Sequence, residues 1–239
     1  MRKINIKIKR FDSDKKDSYF QTFVYEGNVS NSIAFVLEEL NSKEELIDID
    51  GNKAKRIEWE CGCLQKKCGA CSMVINNKPN IACSSILKDL LEKNNTIIIE
   101  PLSKFQVIAD LKVNKEIIFN NLKNMNLWLE SDAKINENQS ETEYQSSRCL
   151  MCGCCLEICP NFNINNSFNG TLSMVNAFKL INQEENSQHK KEMIKEYRKH
   201  FYNGCGKSLS CNDICPINLP IEELITKSNA ISIWNKSLK

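Results

Sequence analysis

The chain contains 239 residues, 41% of them hydrophobic, which suffices for one large or two modest domains with filled cores. It carries 32 basic and 30 acidic residues, interspersed along its length, for a net charge of +2. No field of one sign is present to attract a polyanion, so we expect no nucleic-acid partner. The pattern predicts no secretion signal, because lysines interrupt the isoleucines of residues 1–10, and no membrane span, because no run of about 18 apolar residues occurs.

The first hundred or so residues have the rhythm of a sheet. Hydrophobic and polar residues alternate over 4–9, and after a charged turn a second run of strand formers, 20–25, predicts a β-hairpin. Ser30 is the predicted N-cap of a short amphipathic helix that follows. Residues 96–100 are predicted to form the last strand of this domain, which ends at Pro101 because proline cannot donate to a sheet.

Four cysteines lie between that helix and that last strand, with the spacing found in plant-type 2Fe-2S sites. Cys63, Cys68 and Cys71 form the pattern C-x4-C-x2-C, and Cys83 follows a short strand and turn. In plant-type 2Fe-2S sites closely spaced thiolates wrap one side of the cluster and a distant cysteine supplies the fourth bond. We predict that these four cysteines hold a 2Fe-2S cluster; zinc binding or a chance spacing is the alternative.

The rest of the chain is predicted to be mainly helical, which makes the fold class α+β, with domains of residues 1–108 and 109–239. The polar stretch 131–147 has no apolar pattern and is predicted to be a loop or linker. One helix is predicted to place Ile117, Phe119, Leu122, Met125 and Leu129 on its apolar face. Further helices are predicted over 172–180, 193–201 and 221–233.

Two cysteine runs in this helical half share one register. The first is Cys149, Cys152, Cys155 and Cys159 followed by proline, and the second is Cys205, Ser208, Cys211 and Cys215 followed by proline. In bacterial two-cluster proteins the fourth cysteine of each run ligates the other cluster. The crossed pattern therefore predicts a 4Fe-4S cluster on Cys149, Cys152, Cys155 and Cys215. It leaves three thiolates, from Cys159, Cys205 and Cys211, which suit a 3Fe-4S cluster.

Ser208 leaves two interpretations open. It is either a polar residue beside a 3Fe-4S cluster with no iron bound to it, or a hydroxyl that ligates a fourth iron or donates a hydrogen bond to a nearby acceptor. We favour the first interpretation, because a neutral serine is a far weaker iron ligand than a thiolate.

A zinc ribbon is the alternative for both runs. Zinc sites commonly use paired ligands and often histidine, whereas the chain has only His189 and His200, which we predict to be surface residues. So many closely spaced cysteines suit shared metals better than disulfides, which predicts a reducing, cytosolic compartment. Cys61 and Cys154 fall outside the registers and are predicted to be small buried residues.

A plant-type loop followed by two crossed runs resembles the iron–sulfur subunit of succinate dehydrogenase and fumarate reductase, over nearly the whole chain. The menaquinone-linked branch is the better match, on the segment from Trp59 to Asn76, on Cys159-Pro-Asn161 and on the Cys-Gly-x-Ser order of 205–208. In ubiquinone-linked members a tryptophan stands a few residues after the Cys-Pro, and a histidine directly follows the first cysteine of the last run. This chain has Ile164 and Gly206 at those places.

The resemblance implies a β-grasp ferredoxin domain joined to a helical two-cluster domain. It implies an electron relay through 2Fe-2S, 4Fe-4S and 3Fe-4S clusters, between an FAD-containing flavoprotein subunit and menaquinone. A membrane anchor or cytochrome b subunit would hold the chain, as a peripheral protein, at the cytoplasmic face of the membrane. Two alternatives remain open: a subunit of a soluble fumarate reductase linked to thiols or another donor, and a free multi-cluster ferredoxin.

Overall fold

The computed structural model describes residues 2–12, 16–91, 95–134, 137 and 140–233, together with the backbone of residue 234. The chain divides between Asn114 and Lys115 into two compact units. In the part of the chain that is described, no helix is both long and apolar enough to cross a membrane.

The first unit is built on a mixed β-sheet. The strands of this unit are β1 (Arg2–Asp12), β2 (Asp17–Gly27), β3 (Leu46–Ile47), β4 (Lys53–Ala54), β5 (Ser72–Ile75), β6 (Lys78–Ile81), β7 (Thr96–Glu100), β8 (Gln106–Ala109) and β9 (Lys112–Asn114). Five of them form the main sheet, and β3-β4 and β8-β9 form two separate pairs. The main sheet has the order β2-β1-β7-β5-β6, in which β1 pairs antiparallel with β2 and parallel with β7. Ile4, Ile6 and Ile8 of β1 are fully buried, as the alternation predicts. The hairpin is confirmed, and residues 96–100 form a strand, β7. The prediction that this strand is the last of the domain is wrong, because β8 and β9 follow it as a separate two-stranded sheet. The arrangement is that of a β-grasp domain.

The helix that follows the hairpin begins two residues later than predicted. It is α1 (Ile33–Ser42), and α2 (Leu87–Leu90) comes after a 3₁₀ turn at Ala82–Ser84. Ser32 is the N-cap, because its Oγ accepts a hydrogen bond from the Phe35 backbone N–H at 3.2 Å. The prediction of Ser30 is therefore wrong; Ser32 directly precedes the first helical residue and its hydroxyl can reach the first turn.

A buried ion pair joins β1 to the turn between β8 and β9. Arg10 Nε lies 3.0 Å from Asp110 Oδ2, and the two side chains are only 4% and 5% exposed. Arg10 also donates to the carbonyls of Lys55 and Arg56, at 3.1 and 3.0 Å, and Asp110 accepts from the Glu58 N–H at 2.9 Å. These bonds compensate both buried charges and fix the segment that leads into the cysteine loop.

The β8–β9 hairpin belongs to the first unit for the same reason. The Leu111 N–H, in its turn, donates to the Glu58 carbonyl at 3.0 Å. The division between the units accordingly falls after Asn114, a few residues beyond the predicted boundary at 108/109.

The second unit is mainly helical, as predicted. Its helices are α3 (Glu116–Asn124), α4 (Ser140–Ser147), α5 (Cys154–Ile158), α6 (Gly170–Gln183), α7 (Ser187–Tyr197), a π-helical turn (Arg198–Tyr202), α8 (Ser210–Asp213) and α9 (Ile221–Trp234). α6 contacts α3, α4, α5, α7 and α9, and residues 170–178 are all buried. The second unit is therefore organised around α6.

The helix α3 is confirmed, but its predicted apolar face is only partly correct: Met125 is fully buried, Ile117 and Leu122 are half-buried, and Phe119 points to solvent. Ile118 and Asn121 are buried, whereas Phe119 is 58% exposed. Asn121 is buried because its backbone carbonyl accepts from Asn169 Nδ2 at 3.0 Å and its side chain donates back to the Asn169 carbonyl. A polar residue thus takes an inward position that apolar periodicity cannot indicate.

The predicted loop at 131–147 is also partly wrong. Residues 131–134 are non-helical, but Ser140–Ser147 forms α4; residues 135, 136, 138 and 139 lie outside the described part of the chain. The inward side of α4 is polar and hydrogen-bonded: Glu143 accepts from Gln183 at 3.0 Å, and Thr142 accepts from Lys227 at 2.7 Å. Because α4 packs through hydrogen bonds, it leaves no apolar stripe in the sequence.

Both histidines are buried, so their prediction as surface residues is wrong. His189 is 2% exposed, with Nε2 3.0 Å from the Trp128 carbonyl oxygen. His200 is 8% exposed, with Nδ1 2.7 Å from the Ser167 carbonyl oxygen. Each ring is buried because it finds a hydrogen-bond partner in another segment.

Candidate metal centres

The first candidate centre is the loop that precedes β5. Leu64, Lys66 and Gly69 have positive φ values of 53°, 60° and 71°, a conformation that helps a short loop to turn its N–H groups inward. The Gln65 and Lys67 N–H groups both lie 3.3 Å from Cys63 Sγ, in position to donate to it. The loop is therefore folded around a sulfur atom.

The same loop engages two more of the predicted ligands. The Lys66 N–H donates to Cys83 Sγ at 3.3 Å, and the N–H groups of Cys63 and Ala70 donate to Cys68 Sγ at 3.4 and 3.5 Å. Cys71 is buried immediately before β5, which raises its pKa, and it lies close enough to Cys83 and Cys68 that their charges raise that pKa further. The structure thus brings together all four predicted 2Fe-2S ligands.

The environments of these four thiols are unequal. Backbone N–H groups of Gln65 and Lys67 lower the pKa of the Cys63 thiol to about 7. Burial raises the pKa of the Cys71 thiol to about 12. Cys63 is consequently about half ionised at pH 7, whereas Cys71 needs a bound metal to displace its proton.

The second candidate centre is a cavity in the helical unit. Four predicted ligands line it, three from the first run and one from the second: Cys149, Cys152, Cys155 and Cys215. Its other walls are almost wholly apolar and include residues of α6 and of the segment that follows Cys215. The Leu219 N–H approaches Cys215 Sγ at 3.5 Å. The crossed set therefore shares one apolar enclosure.

Burial dominates the chemistry of this cavity. It raises the pKa of the Cys149 thiol to about 11 and raises the pKa of Cys155 well above its ordinary value. The pKa of Cys152 is instead lowered to about 7, chiefly because the Cys154 thiol donates a hydrogen bond to it. Cys154 is fully buried, which confirms its prediction as a small buried residue.

The third candidate centre contains the remaining predicted ligands. Cys211, in α8, lies within electrostatic range of Cys159 and Cys205. Burial raises the pKa of Cys211, and a hydrogen bond from the Thr171 hydroxyl opposes that effect. Thr171 is buried in the first turn of α6 and also lines the cavity of the second centre.

Ser208 lies on an irregular loop between Cys205 and α8. Lys207 and Leu209, its two neighbours, have positive φ values of 54° and 56°. The side chain of Ser208 is exposed, and its Oγ accepts a hydrogen bond from Ser210 Oγ at 3.4 Å.

Cys61 is exposed, so its prediction as a buried residue is wrong. Its Sγ lies 3.8 Å from Glu38 Oε1, at the surface beside the first cysteine loop. The chain bends at Gly62 between Cys61 and the first predicted ligand, and a side chain at Gly62 would come within 3.2 Å of Cys68 Sγ.

Sequence reasoning missed the residues that surround the cysteines. Thr171 and Gly204 gave no signal, because each is a common residue outside any motif. Asn161 stood in a recognised motif, but nothing in the sequence indicated that its side-chain amide donates a hydrogen bond to the Gly204 carbonyl.

The donor sets fit iron–sulfur clusters. Each candidate centre offers several thiols, and the first two also offer backbone N–H groups that approach sulfur, five in the first and one in the second, which would stabilise a cluster's negative charge. Among the described residues, no three histidine, cysteine, aspartate or glutamate side chains are grouped to hold a single metal ion. The fit to clusters rests on the sulfur hydrogen bonds and the shared cavity.

Comparison with protein families agrees with this division. Residues 5–120 match the model of a 2Fe-2S iron-sulfur cluster binding domain, and residues 145–219 match that of a 4Fe-4S dicluster domain. Fold and site together define an iron–sulfur protein with a ferredoxin-type domain followed by a helical domain for two clusters.

Individual relatives narrow the class. The succinate dehydrogenase iron-sulfur subunit of Bacillus subtilis is 31% identical over 192 residues, which cover 77% of this chain and 75% of the relative. The fumarate reductase iron-sulfur subunit of Wolinella succinogenes is 28% identical over 239 residues, covering 94% and 95%. The chain belongs to the family of succinate dehydrogenase and fumarate reductase iron–sulfur subunits.

A solved structure has the same fold. A chain from the Mycobacterium smegmatis Sdh1 complex in the apo form superposes with a TM-score of 0.78 at 15% identity, covering 96% of this chain and 95% of that one. Both units of the present fold are included in that match.

Proposed function

We propose that the chain is the electron-relay subunit of a succinate dehydrogenase or fumarate reductase complex. The ligands are Cys63, Cys68, Cys71 and Cys83 for a 2Fe-2S cluster, Cys149, Cys152, Cys155 and Cys215 for a 4Fe-4S cluster, and Cys159, Cys205 and Cys211 for a 3Fe-4S cluster. When bound, the clusters supply one-electron carriers between a flavin and a quinone. The protein's own part is to hold the sulfur atoms, to enclose the second centre in an apolar cavity and to donate hydrogen bonds to the ligands.

The observation that carries this proposal is the composition of the second centre. Cys215 lies sixty-odd residues beyond Cys149 in the sequence, yet both line one cavity with Cys152 and Cys155. A crossed pair of runs requires this arrangement, and a ribbon that pairs ligands within one run does not.

The third centre is proposed to be a 3Fe-4S cluster with Ser208 unligated. Ser208 accepts a hydrogen bond from Ser210 and is exposed, which supports a polar neighbour rather than an iron ligand. Serine ligation of a fourth iron is the alternative outcome of the spectroscopic test below.

The partners follow from the family. We propose an FAD-containing flavoprotein subunit and a membrane anchor or cytochrome b subunit, with the chain peripheral on the cytoplasmic face. Menaquinone is the proposed acceptor, because Ile164 and Gly206 stand where ubiquinone-linked members have tryptophan and histidine. The complex would oxidise succinate in the tricarboxylic acid cycle or reduce fumarate in anaerobic respiration.

Anaerobic purification with metal, sulfide and EPR analysis tests the cluster content. We expect about nine irons per chain, little zinc, and a near-isotropic signal from the oxidised third cluster. About ten irons without that signal, changed by Ser208→Ala, would instead favour serine ligation. A stoichiometric zinc content would refute the proposal.

Two serine variants test the crossing. Cys215→Ser should abolish the reduced 4Fe-4S signal, although Cys215 lies in the second run, and Cys159→Ser should abolish the oxidised 3Fe-4S signal. Cys61→Ser is the matched control and should retain all three signals, because Cys61 is exposed and outside the registers. The opposite pattern of losses would show that the runs do not cross.

A further inference from the structure

Two glycines flank Cys205, and the loop that follows Cys159 fills the space beside both. A Cβ on Gly204 would lie 2.6 Å from Phe168 Cδ2. A Cβ on Gly206 would lie 2.9 Å from Asn161 Nδ2. Both distances are too short for a side chain, so neither position accepts one unless its neighbour moves.

Asn161 is held from two sides. Its side-chain Nδ2 donates to the Gly204 carbonyl at 2.6 Å, and its backbone carbonyl accepts from Asn166 Nδ2 at 2.9 Å. Asn161 lies two residues after Cys159, and Gly204 immediately precedes Cys205. The short amide bond therefore joins the two chain segments next to these cysteines.

The same loop is attached again farther along. The Asn169 N–H donates to the His200 carbonyl at 2.8 Å, and the His200 ring donates from Nδ1 to the Ser167 carbonyl at 2.7 Å. Phe168 stacks on Phe201, with ring centroids 5.7 Å apart. These contacts fix the far end of the loop against the π-helical turn. Asn161 therefore has only the near end of the loop, next to Cys159, to position.

We propose that Asn161 is a positioning residue that sets Cys159 against Cys205, and that position 206 is glycine because the Asn161 amide occupies the space of a side chain there. The inference rests on the proposed function, because it takes both cysteines to bind one cluster. The amide contributes through the geometry of the ligands and does not itself contact iron.

Substitution of Asn161 tests the positioning role in the full chain, purified anaerobically with the subunits that accompany it. Asn161→Ala removes the amide, and Asn161→Asp replaces the N–H donor with an acceptor that faces the Gly204 carbonyl. Both should reduce retention of third-site iron by roughly 10-fold in a chelator challenge, the size typical of residues that support metal ligands. The midpoint potential and line shape of the oxidised third-site signal should also change, and the signals of the other two clusters should not.

Asn163→Ala is the matched control. Asn163 lies in the same loop, and its side chain accepts a hydrogen bond from the Asn165 N–H at 2.8 Å within that loop. This variant should retain third-site iron and its potential. If Asn161→Ala and Asn161→Asp behave like Asn163→Ala, the positioning role is refuted.

A double-mutant cycle tests the steric pairing. Gly206→Ala alone should displace the amide and weaken third-site iron retention, because the added methyl group meets Asn161 Nδ2. In the Asn161→Ala/Gly206→Ala chain the second substitution should cost little more, so the effects should be strongly non-additive. Effects that simply multiply would refute the pairing.

The wild-type chain separates this inference from the proposed function. If wild-type protein shows no third cluster, the proposed function fails. If it shows the cluster and the Asn161 variants leave retention, potential and line shape unchanged, only the inference fails.

Discussion

The two units hold their cysteines in different ways. In the first unit, Cys63 and Cys68 lie on a short surface loop attached to a sheet whose own core is apolar. In the second unit, Cys149 and Cys215 come from distant parts of the sequence and line one cavity between helices. The first candidate centre thus lies on a loop outside the apolar core of its unit. The cysteines of the second and third candidate centres instead take part in the packing of the helical unit.

Removal of the metals should give the largest difference between the units. The helices that carry ligands, α5 and α8, are short and contain the buried thiols of Cys154 and Cys211, so we expect them to lose order when the clusters are removed. β1 and β7 should stay ordered, because their core is apolar. Hydrogen exchange after chelation should show lost protection in α5 and α8 and retained protection in β1 and β7. Equal loss in both units would break the comparison.

Arg10→Met tests how much the buried ion pair between Arg10 and Asp110 stabilises the first unit. The substitution leaves Asp110 buried without its counter-charge, so we expect a loss of about 3–5 kcal/mol in the free energy of unfolding of this unit. Denaturant unfolding followed by circular dichroism and by the 2Fe-2S absorbance measures it. Lys53→Met, which breaks an exposed pair with Glu45, should cost about 1 kcal/mol or less. Equal costs for the two variants would contradict the anchoring role.

Glu184→Gln tests how much the hydrogen bonds of a buried carboxylate stabilise the second unit independently of any metal. Glu184 is fully buried and accepts from the N–H groups of Glu130 and Asn186, both at 2.7 Å, and from the Ser131 hydroxyl. We expect the free energy of unfolding to fall by roughly 1–3 kcal/mol at neutral pH, because an uncharged amide satisfies these donors less well. Glu185→Gln, at an exposed neighbour, should have little effect.

The pH dependence gives an independent test of the same residue. Burial raises the pKa of the Glu184 carboxyl, but its hydrogen bonds outweigh that effect and lower the pKa to about 2, below the ordinary value of 4.5. Its stabilisation is therefore complete above pH 4.5 and is lost as the pH falls towards 2. Acid titration of the cluster-free chain by circular dichroism should show this loss, and Glu184→Gln should remove it. An unchanged acid transition in the variant would contradict the assignment.

Ser32→Ala should have the smallest effect. Loss of the N-cap hydrogen bond to Phe35 should destabilise the first unit by about 1 kcal/mol, without change in the second unit. Ser30→Ala, at the predicted but incorrect cap, should stay within about 0.5 kcal/mol of wild type. Thermal unfolding of the two variants checks the difference, and the reverse order would restore Ser30 as the cap.

The sequence predicts the parts of this molecule in which a local pattern determines a local structure. The hairpin, the final strand of the main sheet and the α6 and α9 helices follow from periodicity, and the cysteine sets follow from spacing. The buried face of α3, the existence of α4 and the burial of His200 could not be predicted. Each depends on a hydrogen-bond partner brought near by tertiary packing, such as Asn169 for Asn121 or Gln183 for Glu143.

The first turn of α6 has a consequence for how changes spread through the helical unit. The side chain of Thr171 forms part of one cavity wall and donates through its hydroxyl to Cys211 of the neighbouring group. Thr171 therefore contacts both the second candidate centre and a cysteine of the third. We expect a substitution of Thr171 to alter the surroundings of both candidate centres, so that neither could be changed alone at this position.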